Sequence, residues 1–399
     1  MLNLAVTYAL DCHSAFKKAG KADRKVALRS GAQVMRALRN ALTTKAEESA
    51  STILMTMRLL FAAEIFGEIG SLHYALHLSA VSELLRLRWT SGQFEELDEA
   101  LVNESYFEEV VESVHNGRIS AFDDPLRPRP ATLGDATTFE FESASNFVRE
   151  RLIRIPRLVY LVRRCSQNPD DDALVLETLA LTTEIYDVKF ALLVEEFITE
   201  STTIADTSSD MESAPPLQSF LFNSIQEFNL TVYYYTFRIL ICGIIQYMLD
   251  VQIAPQVYFD RSKVGAEDIK AAERIAMCLD YAFNPKFDPP FGALRMYKPC
   301  TLAYGSWDRL EKRERTIHGS EAPDCARALL MKQYCFEAVD RIALIWNGGG
   351  VAEELLVLTC GAFAGGPLMS TTTRMTSQDP RLKNESDTSC AFQNRRRVP

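Results

Sequence analysis

Apolar residues in this chain recur every three or four positions and almost never every second one. The runs Leu28, Gly31, Val34, Met35, Leu38, Ala41, Leu42 and Ile53, Met57, Leu60, Phe61, Ile65 are typical. That spacing lines one face of an α-helix, whereas a half-buried strand needs alternation. The period predicts an all-α chain: an irregular multi-helix domain of stacked antiparallel helices in short hairpins. The expected helices cover 2–18, 22–42, 46–68, 71–89, 93–115, 144–165, 169–201, 216–249, 265–283, 292–315, 322–347 and 350–362. Thr44 with Glu47 suits a capping box, and Asn168 before Pro169 suits a cap and first helical position. A tetratricopeptide period is not found, since its Trp, Gly, Tyr, Ala and Pro pattern does not recur.

Two polar stretches, 123–138 and 205–216, have the Pro, Ser, Asp and Thr content of exposed loops. We therefore expect one helical domain over 1–364 with loops near 123–143 and 202–216, and a disordered tail over 365–399, where periodicity is lost. At 399 residues, 47% hydrophobic and 24% charged, the chain can bury a sizeable core. A net charge of −10 and a pI near 5.2 speak against direct contact with nucleic acid. The first residues lack the basic lead and small-residue cleavage site of a secretory signal. The nine cysteines, at 12, 165, 242, 278, 300, 325, 335, 360 and 390, form no close pair and read as buried thiols.

The run Leu230–Leu249 is long enough to cross a bilayer, but Arg238 sits near its middle. Insertion of a central arginine costs roughly 2.5 to 3.5 kcal/mol, so a buried soluble helix is expected, with Arg238 held by carboxylates or carbonyls and no membrane partner.

Chemistry-bearing patterns are thin. His73 and His77 lie four apart on one helix face, but the glutamate that a zinc protease carries after its first histidine is replaced by Tyr74. Further ligands (His115, Cys12, the run Glu95–Glu99) have no distinguishing spacing, so packing and hydrogen bonding are the expected roles. Asp170, Asp171 and Asp172 resemble in composition the magnesium motif of an isoprenoid synthase, yet they fall in a helix's first turn, facing water and the positive end of its dipole. The acidic run from Asn103, "NESYFEEVVE", reads as a solvated face. The glycine-rich "WNGGGVAEE" at 346–354 follows no strand and reads as a helix stop. Lys17, Lys18, Lys21, Arg24 and Lys25 fall at an interhelical turn, and "NRRR" at 394–397 lies in the tail; either suits nuclear import, and a solvated loop explains the first equally well. No catalytic, cofactor, metal or DNA-binding residues are assigned, and folding without metal is expected.

Over about residues 1–350 the chain resembles the helical regulatory domain found C-terminal to the zinc binuclear cluster in fungal-specific transcription factors. Three pieces carry the resemblance. The first is "GAQVMRALRNAL" at 31–42 followed by "ESASTILMTMRLLFAAEIF" at 48–66. The second has His77, Ala80, Leu84, Leu85, Arg86 and Arg88 in the matching places, with Ser79 where the family favours glycine and Trp89 where glycine usually ends the helix. The third, "YYYTFRILICGIIQYML", carries an arginine among aromatics and leucines through Tyr235, Arg238 and Leu240. The family's six-cysteine cluster is absent; the closest cysteines, Cys325 and Cys335, are too far apart for it.

The resemblance implies a nuclear, non-enzymatic transcriptional regulator, of the kind that often controls a secondary-metabolite gene cluster. Its expected partners are proteins, in a homo- or heterodimer or in the transcription machinery, with room for a small-molecule effector and with no cofactor. The family pattern places a zinc cluster and linker ahead of Met1, so either an upstream part supplies DNA binding or a partner does. An all-α small-molecule enzyme and a cytoplasmic scaffold sharing the fold are the competing readings.

Overall fold

The computed structural model describes residues 1–18, 21–43, 49–66, 71–128, 140–206, 218–255, 257–284, 286, 291–347 and 350–368, with side chains in the fourth helix from His77 onward. The Thr44/Glu47 cap, most of both loops, the His73 side chain and the tail from 369 lie outside the described residues. What is described is all-α apart from one small strand pair. It divides into two compact units, one of residues 1–112 and 120–128, the other of 113–119 and, among the described residues, 140–368.

The first unit contains α1 (Leu2–Lys18), α2 (Lys21–Thr43), α3 (Ala50–Phe66), α4 (Ser71–Thr90) and most of α5 (Glu96–Asn116). α1 packs against both α2 and α3 through Ala5, Tyr8, Cys12 and Ala15. The α1–α2 hairpin is close because Gly31 has no side chain: a Cβ there would stand 2.9 Å from the Tyr8 ring. Ser30 closes the same seam by donating to Asp11 Oδ2 at 2.7 Å. α4 and α5 meet at a buried corner, where Arg88 Nε donates to both Asp98 oxygens at 2.8 Å.

The second unit holds α6 (Phe141–Gln167), α7 (Asp172–Ile185), α8 (Val188–Ser201), α9 (Ile225–Asp250), α10 (Arg261–Ala276), the short α11 (Leu279–Ala282), α12 (Phe291–His318), α13 (Pro323–Asn347) and α14 (Glu353–Phe363). α9 is its axis, packed by α6, α10, α12 and, more lightly, α7, α8 and α14. That surround explains an apolar helix of membrane-spanning length: 89% of its most apolar window is buried within the fold. α12 and α13 form the most extensive hairpin, closed by Lys332 Nζ donating to Asp308 Oδ1 at 3.0 Å and to Glu311 Oε2 at 2.9 Å. Burial alone would raise the Asp308 carboxyl pKa; hydrogen bonds and charge from Lys312 and Lys332 outweigh it and hold it below the ordinary value.

Three expectations need correction. The stretch 169–201 is two helices, because Asp187 caps a new one by accepting from the Lys189 N–H, and Tyr186 ends the other. Asn168 ends α6 instead of starting α7, whose cap is Asp171, accepting from Leu174 N at 3.0 Å. Finally, β1 (Thr203–Asp206) pairs antiparallel with β2 (Gln218–Leu221), in register Thr203 with Leu221, where a loop and a helix start were expected. Four residues per strand are too few to display alternation. α9 begins only after Ser224, which accepts from Glu227 N while Glu227 reaches back to the Asn223 N–H. That serine-to-glutamate spacing is a capping-box signal present in the sequence.

Candidate functional site

The most elaborate arrangement of charge in the second unit runs along α9. Arg238, Cys242 and Gln246 stand four residues apart, so they form one stripe on an otherwise apolar helix, facing α10. α10 answers with two successive carboxylates. Glu267 takes Arg238 Nη2 and the Tyr186 hydroxyl, the latter at 2.8 Å. Asp268 takes Gln246 Nε2 at 2.8 Å, the Ser306 hydroxyl at 2.7 Å and Arg309 Nε and Nη2 at 2.8 to 3.0 Å. Arg238 is 4% exposed, with its guanidinium 5.1 Å from the Tyr186 ring centre. The expectation of a buried arginine held by a carboxylate is met.

Arg309 reaches Asp268 from α12 across two small residues. A Cβ on Gly243 would come within 3.2 Å of its guanidinium, and one on Gly305 within 2.7 Å of Cys360 Sγ. Beside Arg309, Gly243, Leu302, Cys360 and Phe363 enclose a cavity of about 10 Å³. That is room for roughly one water molecule, too little for an effector. Each carboxylate in the network already accepts from a cation or hydroxyl. The arrangement joins α9, α10 and α12 and fixes their register.

Cysteine chemistry follows the same logic. The eight described cysteines are free and buried. Burial pushes the Cys12 thiol up to about 11 and the Cys335 and Cys360 thiols up to about 12, so all three stay protonated near neutral pH, unsuited to attack or metal binding.

The histidines whose side chains are described lie on different elements. His77 Nε2 is 3.1 Å from Glu64 Oε1 in the α3–α4 contact, and the His13 ring meets Phe66 edge-on. His115 packs against Phe363, and His318 is 3.8 Å from Glu314. Among the described residues no group of three or more His, Cys, Asp or Glu is placed to hold a metal ion. Asp170, Asp171 and Asp172 are exposed, as the helix-start reading expects. In the glycine-rich stretch, α13 stops at Asn347, and Asp340 Oδ1 accepts from the Val351 N–H at 2.9 Å, putting a carboxylate where a phosphate cradle would need its anion.

One reading of an acidic segment is overturned. Glu109, expected on a solvated face, is buried, accepting from the Ser82 hydroxyl at 3.1 Å and the Ala121 N–H at 3.0 Å. Asp98 is buried likewise. Both belong to helix packing, and their burial depends on partners 27 and 10 residues away in sequence.

The Arg238 geometry makes a prediction. Either Arg238→Leu or Arg238→Ala leaves Glu267 with the Tyr186 hydroxyl, but alanine also leaves a void. Arg238→Ala should be less stable than Arg238→Leu by about 2 kcal/mol. Thermal melts that placed the leucine variant lower would contradict this.

Comparison with models of known protein families, with curated proteins and with solved structures found no match.

Proposed function

We propose that this chain is a transcriptional regulator: a helical regulatory domain of the fungal zinc-cluster type that acts through protein partners and makes no DNA contact of its own. The observation that carries the reading is the arginine set among the aromatics of α9. In the sequence it belongs to the third piece of the resemblance, and in the fold it is buried in the helix around which α6, α10 and α12 pack. His77 and Arg88, from the second piece, are likewise packing residues, paired with Glu64 and Asp98. The net charge of −10 favours protein partners over phosphate backbones.

The test joins the whole chain to a heterologous DNA-binding module upstream of a reporter. The expected result is a several-fold change in reporter output, either direction, with the tagged chain in the nucleus. A mobility-shift assay with the chain alone at physiological salt should show no sequence-specific complex. Cytoplasmic retention with an unchanged reporter would favour the scaffold reading, and tight sequence-dependent DNA binding by the chain alone would overturn the proposal.

A further inference from the structure

The helix α2 is the most basic in the first unit, with Lys21, Arg24, Lys25, Arg29, Arg36 and Arg39 against Asp23 alone, in a chain of net charge −10. Its packing is against α1, through Ala27, Ser30, Gly31, Val34 and Leu38. The strip that borders this packed side is unusual. Leu28, Met35 and Leu42 are 59%, 43% and 57% exposed, and they stand seven residues apart. Seven residues bring a helix nearly back to the same angle, so the three side chains form one straight seam about 21 Å long. Arg39 and Lys25 lie immediately beside the seam and Arg36 and Arg29 next to them, all exposed. Lys25, Arg29 and Arg39 make no ion pair among the described residues, and Arg36 uses Nε on the Ala32 carbonyl within its own helix.

We infer that the outer face of α2 docks an acidic amphipathic helical segment of a partner protein, with its apolar residues along Leu28, Met35 and Leu42 and its carboxylates against Lys25, Arg29, Arg36 and Arg39. The inference rests on the regulatory reading only in expecting a protein partner. A seam one side chain wide with charge along its flank is the geometry by which helices choose helical partners. A membrane-surface helix needs a broad apolar sector with aromatic residues, which this face lacks. Phosphate backbones would use the cations but leave the seam in water. A second copy would bring a second basic α2 against the first, and like charges repel.

The test uses the full chain and a labelled synthetic helix of about three heptads, with leucine at every seventh position and flanking glutamates. Fluorescence anisotropy should show saturable binding that weakens with salt, about tenfold tighter than for the same peptide with glutamines. The triple change Arg29→Glu, Arg36→Glu, Arg39→Glu should lose that advantage, as should Leu28→Ser with Met35→Ser. The change Arg29→Lys, Arg36→Lys, Arg39→Lys should keep it. All these sites are exposed, so unchanged melting temperatures would show that each variant is folded. Equal binding of the glutamine peptide, or binding indifferent to charge reversal, would overturn the inference. So would tighter binding of phosphatidylserine vesicles or duplex DNA with the same residue dependence, or self-association abolished by Leu28→Ser with Met35→Ser. A positive reporter result with no peptide binding would fail this inference alone; peptide binding with a silent reporter would fail the regulatory reading alone.

Discussion

Asp268→Ala should destabilise the second unit by about 3 to 5 kcal/mol, as expected when one partner of a buried charge network is removed. The carboxylate is 1% exposed and receives groups from three directions: Gln246 on α9, and Ser306 and Arg309 on α12. Alanine strands the Arg309 guanidinium against Gly243 and Cys360, and leaves a fully buried Ser306 hydroxyl without its acceptor. In a unit of this size the loss corresponds to a fall in melting temperature of about 10 °C. Circular dichroism and scanning calorimetry on the full chain should show it in one transition only, as expected if the two compact units unfold separately. Asp268→Asn, which keeps the shape and one acceptor, should lie between. Replacing the pair together, Asp268→Leu with Arg309→Met, should recover much of the loss, because apolar side chains of similar volume need no desolvation. An unchanged melting temperature in Asp268→Ala would mean that the network does not hold α9, α10 and α12 in place.

The counterpart in the first unit is Asp98→Ala, with a similar expected cost of about 3 to 5 kcal/mol. Asp98 is 0% exposed; it accepts from Arg88 Nε through both oxygens and from the Glu95 N–H at 2.8 Å. One side chain therefore satisfies an otherwise open helix start and neutralises the buried end of α4. Glu95, 3.3 Å from Arg88 Nη2 but two-thirds exposed, offers only a weak, solvent-screened substitute. Hydrogen exchange should report the change as lost protection in the first turn of α5 and the last turn of α4, while α9 amides stay protected. If α9 loosened equally, the assignment of this corner to a separate cooperative unit would be wrong.

The local period of the sequence was enough for the helices, because each turn needs only neighbours three and four residues away. Most expected spans match, from 2–18 against Leu2–Lys18 to 322–347 against Pro323–Asn347. Arg238 was legible too: an arginine inside an apolar run of twenty residues has few affordable surroundings besides a buried partner. What the period missed was set by single residues or by distant ones. Asp187 splits a long helical pattern with one cap, and β1 and β2 are each too short to show alternation. Glu109 was expected on a solvated face, and nothing within a turn of it, of Asp98 or of Asp268 distinguishes a solvated carboxylate from a buried one. Their burial follows from Ser82, Arg88 and Arg309, and which helices bring those groups near is decided when the units pack. The α2 face is the inverse case. Its heptad of Leu28, Met35 and Leu42 was written in the sequence among the residues assigned to helix period. Only the way α1 packs, covering Ala27, Ser30, Gly31, Val34 and Leu38 beside them, shows that these three are left facing water.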